Sequence, residues 1–121
     1  MKIIKASEKP WHEKKGYSKK IFLTGLDLNF PGLVVQTLKI AAGQMAKSHY
    51  HKKQTEIFFF ININGEFFVN GTKALLEAGD VLVIEPGDHH EVRNNSKKDF
   101  LYVAFKYNVK EGDYFDSTLK Q

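Results

Sequence analysis

The sequence contains no cysteine. Disulfide frameworks, thiolate metal sites and thiol nucleophiles are therefore excluded, and a reducing compartment suits the chain. Arginine is nearly absent as well: Arg93 is the only one among 18 basic residues. Arginine is the preferred residue for bidentate phosphate and base-edge recognition. The lysines fall in scattered pairs (Lys14–Lys15, Lys19–Lys20, Lys52–Lys53, Lys97–Lys98), not in one block. The net charge of +4 is thus read as a solvated surface, and no nucleic-acid partner is expected. No run approaches the roughly 20 apolar residues of a membrane span. Residues 1–20, although rich in lysine, lack the apolar segment and cleavage site of a signal peptide. No membrane partner is expected, and a cytoplasmic location is.

Helical periodicity is scarce, and strand composition with turn punctuation fills the chain instead. Gly32 to Ile40 (GLVVQTLKI), Glu56 to Ile63 (EIFFFINI), Glu66 to Val69, Thr72 to Leu76, Val81 to Ile84, His89 to Asn94 and Phe100 to Tyr107 (FLYVAFKY) all read as strands. The steps Asn64-Gly65 and Asn70-Gly71 are hairpin signals, because type I′ turns need φ > 0 at both central residues. Gly79-Asp80 and Pro86-Gly87 mark further turns. With 121 residues, the chain is expected to form one all-β domain, a sandwich or small barrel, over 1–121. Its core is placed at about 32–107. An N-terminal arm spans about 1–20 with Trp11 as its anchor, and a polar tail follows Asn108, with Tyr114 and Phe115 as docking residues.

Chemistry concentrates in the histidines. His49 and His51 stand two apart, so on a strand both side chains point to one face, about 7 Å apart. Glu56 opens the next strand after a short turn, and His90 follows the turn at Pro86-Gly87. Three imidazoles and one carboxylate suit a borderline divalent transition metal. Each of these residues taken alone is more often a solvated surface group than a ligand. His12 has no partner in sequence and is read as surface; His89 is expected to face away from its neighbour His90.

Read together, the spacings carry more. Gly43, five residues, His49, one residue, His51, four residues and Glu56 form one motif. Gly79, five residues, Glu85-Pro86-Gly87, two residues, His90, three residues and Asn94 form a second. This pair of motifs resembles the two conserved motifs of the cupin family over about Gly32 to Tyr107. Two departures occur. Ile63 stands where the family has a glycine, with Gly65 two residues later, and Glu85 stands where it has a proline. The resemblance implies a double-stranded β-helix, a jelly-roll barrel of two antiparallel sheets. It also implies one metal ion held by His49, His51, Glu56 and His90, whether manganese, iron, zinc, nickel or cobalt. Small members of the family commonly form a homodimer by exchanging or pairing edge strands, which the N-terminal arm could serve here.

Strand parity then predicts the pocket lining. Lys47 shares the face of His49; Phe58 and Phe60 share that of Glu56; Val92 and Asn94 share that of His90. Lys47, Phe58 and Phe60 are accordingly the candidate substrate-binding residues. The ligand is expected to be a small molecule, and no separate general base is evident; Tyr50, Tyr102 and Tyr107 qualify only by residue type. Glu8-Lys9-Pro10-Trp11 with Gly16-Tyr17 is similar to the opening of the cupin domain in type II mannose-6-phosphate isomerases, which act on a sugar phosphate. The readings left open are a metal-dependent enzyme on a small oxygenated metabolite (isomerase-type chemistry on a sugar phosphate being one form), a non-catalytic ligand- or metal-binding module, and an iron-dependent dioxygenase.

Overall fold

A computed structural model describes residues 1–117. In chain order its elements are β1 (His12–Lys14), β2 (Tyr17–Thr24), α1 (Gly25–Leu28), β3 (Val34–Ile40), β4 (Met45–Tyr50) and β5 (Thr55–Phe60). There follow β6 (Glu66–Val69), β7 (Thr72–Lys73), β8 (Val81–Ile84), β9 (His90–Arg93), β10 (Phe100–Tyr107) and β11 (Phe115–Asp116). One sheet runs β1-β2-β3-β10-β5-β8 and the other β11-β4-β9-β6-β7. Every pairing is antiparallel. This is the all-β double-stranded β-helix expected.

Alternation explains the interior. On β5, Glu56, Phe58 and Phe60 turn inward while Ile57 and Phe59 turn out; on β10, Phe100, Tyr102 and Ala104 turn inward. Phe58, Phe60, Phe67, Phe100 and Ile84 fill the space between the sheets with almost no exposure. At one end of the barrel the inward residues become polar, and that end holds the histidines. Residues 1–20, expected as an arm, contain a 3-10 turn at Ala6–Glu8, the strand β1 and the start of β2. Strand β2 pairs with β3, so this part of the chain is built into the first sheet. Trp11 lies beneath the ammonium groups of Lys20 and Lys39, which anchor it by cation–π contact.

The two Asn-Gly steps behave differently. Asn70 and Gly71 take φ of 51° and 81°, as the β6–β7 hairpin requires. Asn64-Gly65 forms no such turn: neither residue has positive φ, and β5 and β6 lie in different sheets. Gly65 is needed for space, since a Cβ there would strike the Phe100 ring and the Arg93 carbonyl. The expected strand Thr72 to Leu76 is likewise reduced to Thr72–Lys73.

Candidate metal centre

The histidines reach one point from three places. His49 sits near the end of β4, His51 just beyond it, and His90 opens β9, paired directly with His49. One ring nitrogen from each lies within 4.8 Å of the others, a group able to hold a metal ion. Their orientation follows from the backbone. His49 Nδ1 lies 3.1 Å from the Lys47 carbonyl, His90 Nδ1 3.3 Å from that of Asp88, and His51 Nδ1 against that of Asp113. A carbonyl oxygen only accepts, so each Nδ1 carries a proton, and in the neutral ring each Nε2 then presents a lone pair. Fixing the tautomer through the outer nitrogen is the usual preparation of a metal-binding imidazole.

Glu56 stands against two of the three histidines. Its Oε1 lies 3.1 Å from His51 Nε2 and its Oε2 3.7 Å from His90 Nε2. His51 Nε2 nevertheless has no hydrogen-bond partner in this buried site. With Nδ1 protonated, two lone-pair atoms face each other there at hydrogen-bond distance. That arrangement needs a cation between them, either a proton or a metal ion. The spacing is near that of neighbouring ligands on one ion with bonds of about 2.1 Å, so the donor set fits a metal. Gln54 Nε2 donates to Glu56 Oε1 at 2.7 Å, and Lys106 Nζ stands 3.7 Å from the same oxygen.

Burial and charge set the protonation states. Burial, followed by His90, pushes His49 down to about 4, and burial also lowers His90. Burial pulls on His51 in the same sense, but Glu56 and the Asp113 carbonyl outweigh it and leave the pKa raised. For Glu56 burial acts upward, and His51, Lys106 and His90 together overcome it and hold the carboxyl down to about 2. At neutral pH the site therefore combines an ionised Glu56 carboxylate with neutral His49 and His90, while His51 beside that carboxylate holds an added proton more readily than a free imidazole.

Two spaces adjoin the cluster. An inner cavity of about 60 Å³ is bounded by His49, Glu56 and His90 on one side and by Gln36, Tyr102 and Lys106 on the other. A wider outer groove of about 300 Å³, lined by Lys14, Lys15, Lys47 and Tyr114, meets it at Tyr17, Ala46 and His49. Phe58 borders the inner cavity, whereas Phe60 packs into the core beyond it. Val92 lines the cavity too; Asn94 does not, and donates instead to the Ile40 and Lys98 carbonyls. Lys47 lies in the outer groove, its Nζ 2.7 Å from Asp116. The reason is a register shift: between Ala46↔Val92 and His49↔His90, β4 holds two residues against one on β9. Such a bulge breaks the alternation, so Ala46 and His49 face inward together and Lys47 does not. His89 stacks on Tyr50, away from the cluster, as expected.

The C-terminal segment contributes what the motifs do not contain. The Asp113 carboxylate accepts from the backbone N–H groups of Lys52, Lys53 and Gln54, fixing the turn between His51 and Glu56. Tyr114 stacks on His49 at 4.7 Å between ring centres, and β11 pairs with β4 beside it. Gln36, Lys19 and Lys106 also escaped the sequence reading. Inward parity on their strands was the signal available for them.

Comparison with known proteins agrees with this architecture. Over 67 residues, 55% of each chain, the sequence is 28% identical to a Thermotoga maritima protein named as oxalate-binding. The chain thus spans about half the length of that curated relative. A predicted oxalate decarboxylase of T. maritima superposes with a TM-score of 0.79 at 19% identity, covering 89% of this chain and all of that one. A Klebsiella pneumoniae protein with a double-stranded beta-helix domain gives 0.73 at 22% identity, covering 94% and 95%. A sugar phosphate isomerase of the cupin superfamily from Silicibacter pomeroyi gives 0.72 at 12%, covering 89% and 76%. The family profile described as the cupin domain matches residues 36–106, the stretch from Gln36 on β3 to Lys106 on β10 that encloses the histidine cluster, and the chain belongs to the cupin family.

Proposed function

We propose that this one-domain cupin holds a divalent transition metal ion on His49, His51, His90 and Glu56 and acts on a small oxygenated anionic metabolite by isomerase-type chemistry. The observation that carries the reading is the unpartnered, buried His51 Nε2 facing Glu56, with all three Nδ1 atoms committed to carbonyls. A metal bound there supplies Lewis acidity toward a substrate carbonyl or enediolate oxygen. The residues around it do the rest. Burial, foremost, raises the pKa of Tyr17 and Tyr102, so both phenols stay protonated and donate to substrate oxygens. Lys19 lines the same cavity, and burial and then Lys106 lower its pKa, which makes it the group suited to take and return a proton at Nζ. The lysines of the outer groove draw anions toward the mouth. A sugar phosphate is one substrate of this description, its phosphate lying in the outer groove. The absence of cysteine suits a reducing, cytoplasmic setting.

Elemental analysis of the purified protein beside a His49→Ala, His51→Ala double variant tests the metal. About one equivalent of a transition metal in the parent and none in the folded variant is expected; a parent that takes up no manganese, iron, zinc, nickel or cobalt rejects the reading. Turnover of aldose, ketose and oxo-acid anions, lost in Lys19→Met while binding persists, tests the chemistry. A second reading, a binding module without turnover, is favoured by the relative named as oxalate-binding. Binding without turnover across that panel would select it.

We further propose a homodimer formed through the outer face of the first sheet. Val83, Ile57, Phe105 and Val35 form one cross-strand row there, and Val81, Phe59 and Val103 a second. Four exposed apolar side chains, Phe59, Val81, Val83 and Phe105, lie on this sheet, and Ile61 follows β5 directly. An antiparallel sheet facing water normally carries polar residues on that side. Contiguous exposed apolar rows of this kind mark association surfaces. Charge enters only at the far end of the second row, where Val103 is followed by Thr37 and Lys20, so the apolar part of the face is matched by a second copy of itself.

A further inference from the structure

The polar groups facing the histidines across the inner cavity have few partners inside the protein. Gln36 is 2% exposed and Tyr102 3%, yet neither the Gln36 amide nor the Tyr102 hydroxyl makes a hydrogen bond among the described residues. The Tyr17 hydroxyl, at the junction with the outer groove, is also unbonded. Lys106 has only its 3.7 Å ion pair with Glu56, longer than a hydrogen bond. Buried polar groups are nearly always satisfied, and each exception calls for an explanation. These four are not sealed off, since His51 Nε2 is the one fully buried side-chain atom without a partner among the described residues; instead they converge, all lining the same cavity as His49, Glu56 and His90.

The chemistry of this wall selects its ligand. An ammonium, two phenolic O–H groups and an amide NH₂ are donors, and the only strong acceptor among them is the Gln36 carbonyl oxygen. Such a wall suits oxygens that carry negative charge. Size narrows the choice: about 60 Å³ corresponds to roughly four to six water molecules by the usual cavity measure. A sugar phosphate does not fit whole.

We infer that Gln36, Tyr102, Tyr17 and Lys106 form a subsite for the carboxylate of a small organic acid, about six non-hydrogen atoms in all. The inference rests on the function proposed above only for what lies at the other end of that acid. Lys106 stands beyond hydrogen-bond distance of Glu56, so its donors remain open to an exogenous carboxylate. The four residues come from three adjacent strands of one sheet, β2, β3 and β10. The subsite is thus a rigid surface opposite the histidines rather than a mobile loop.

Calorimetric titration of the full chain with sodium oxalate as the probe tests this, with pyruvate, inorganic phosphate and ribose 5-phosphate as comparators. Oxalate is expected to bind most tightly. Gln36→Leu and Tyr102→Phe should each weaken it roughly tenfold, and Lys106→Met roughly a hundredfold. The ligand-free melting temperature provides a second readout. Because Gln36 and Tyr102 have no protein partner to lose, their variants should melt at or above the parent temperature. Oxalate affinities equal to the parent's, a preference for phosphate or ribose 5-phosphate, no binding by the parent, or melting lowered by several degrees in both variants would each overturn the subsite. Elemental analysis of the same samples keeps the two proposals apart. A chain that holds no metal but still loses oxalate in Lys106→Met fails the metal reading and retains the subsite.

Discussion

His49 and Glu56 share one cavity wall, and both resist protonation when folded. In the metal-free chain His49 titrates at about 4, against an ordinary 6.5. As pH falls the unfolded chain takes up that proton first. Stability present above pH 6.5 is therefore lost progressively down to pH 4, by about 3 kcal/mol for this group. Glu56, held at about 2 against an ordinary 4.5, adds a second loss over that lower window. His51 acts oppositely: its raised pKa adds stability below its ordinary value, which fades as pH rises through the elevated one. Urea unfolding of EDTA-treated protein from pH 8 to pH 4 should show the decline, and His49→Leu should flatten it between 6.5 and 4. An unchanged slope in that variant would mean His49 is not the group responsible. The sequence singled out the four residues around this site through their spacing and the family resemblance that the spacing carries. Which ring nitrogen bears each proton was not legible there, because the Asp113 carbonyl that orients His51 lies 62 residues away in sequence.

At the scale of elements, the turn between β4 and β5 carries both His51 and Glu56 on either side, and Asp113 holds it through three backbone N–H groups. Asp113→Ala should lower metal affinity roughly 10- to 100-fold although Asp113 is not itself a ligand, as read by competition with a chromogenic chelator. An affinity equal to the parent's would show that the turn holds its shape alone. The two Asn-Gly steps separate in the same way. Gly65→Ala drives a methyl into the Phe100 ring and the Arg93 carbonyl and should cost about 1–3 kcal/mol. Gly71→Ala meets no neighbour and pays only for its positive φ, about 1 kcal/mol. Thermal unfolding of the pair should rank them in that order. Local turn chemistry is identical at both steps. Only the crossing of the chain from one sheet to the other makes Gly65 a matter of space. Lys47 illustrates the same limit, since alternation predicts its face correctly only until the bulge opposite Glu91 intervenes.

For the whole molecule, the outer face of the first sheet is the feature with the largest consequence. Phe59→Lys together with Val81→Lys should leave the barrel folded, because both side chains point away from the interior, and should shift the protein from dimer to monomer by light scattering after size exclusion. A variant that remains dimeric would place the interface elsewhere, on the N-terminal residues or an edge strand.

The sequence by itself determined the β-class and the family, and it singled out the three histidines whose ring nitrogens the fold gathers, because turn residues, period-two alternation and motif spacing are local properties that survive in one dimension. It also placed Phe58 on the cavity wall, by parity with Glu56. Only the tertiary structure decided that Phe60 belongs to the core, that Lys47 faces the outer groove, and that Gln36, Tyr102 and Lys106 look across at the histidines. Those outcomes depend on where a bulge falls and on which strands the rolled sheets bring face to face. Both are settled by long-range packing, and residues far apart in the chain carry no local mark of the neighbour they will meet.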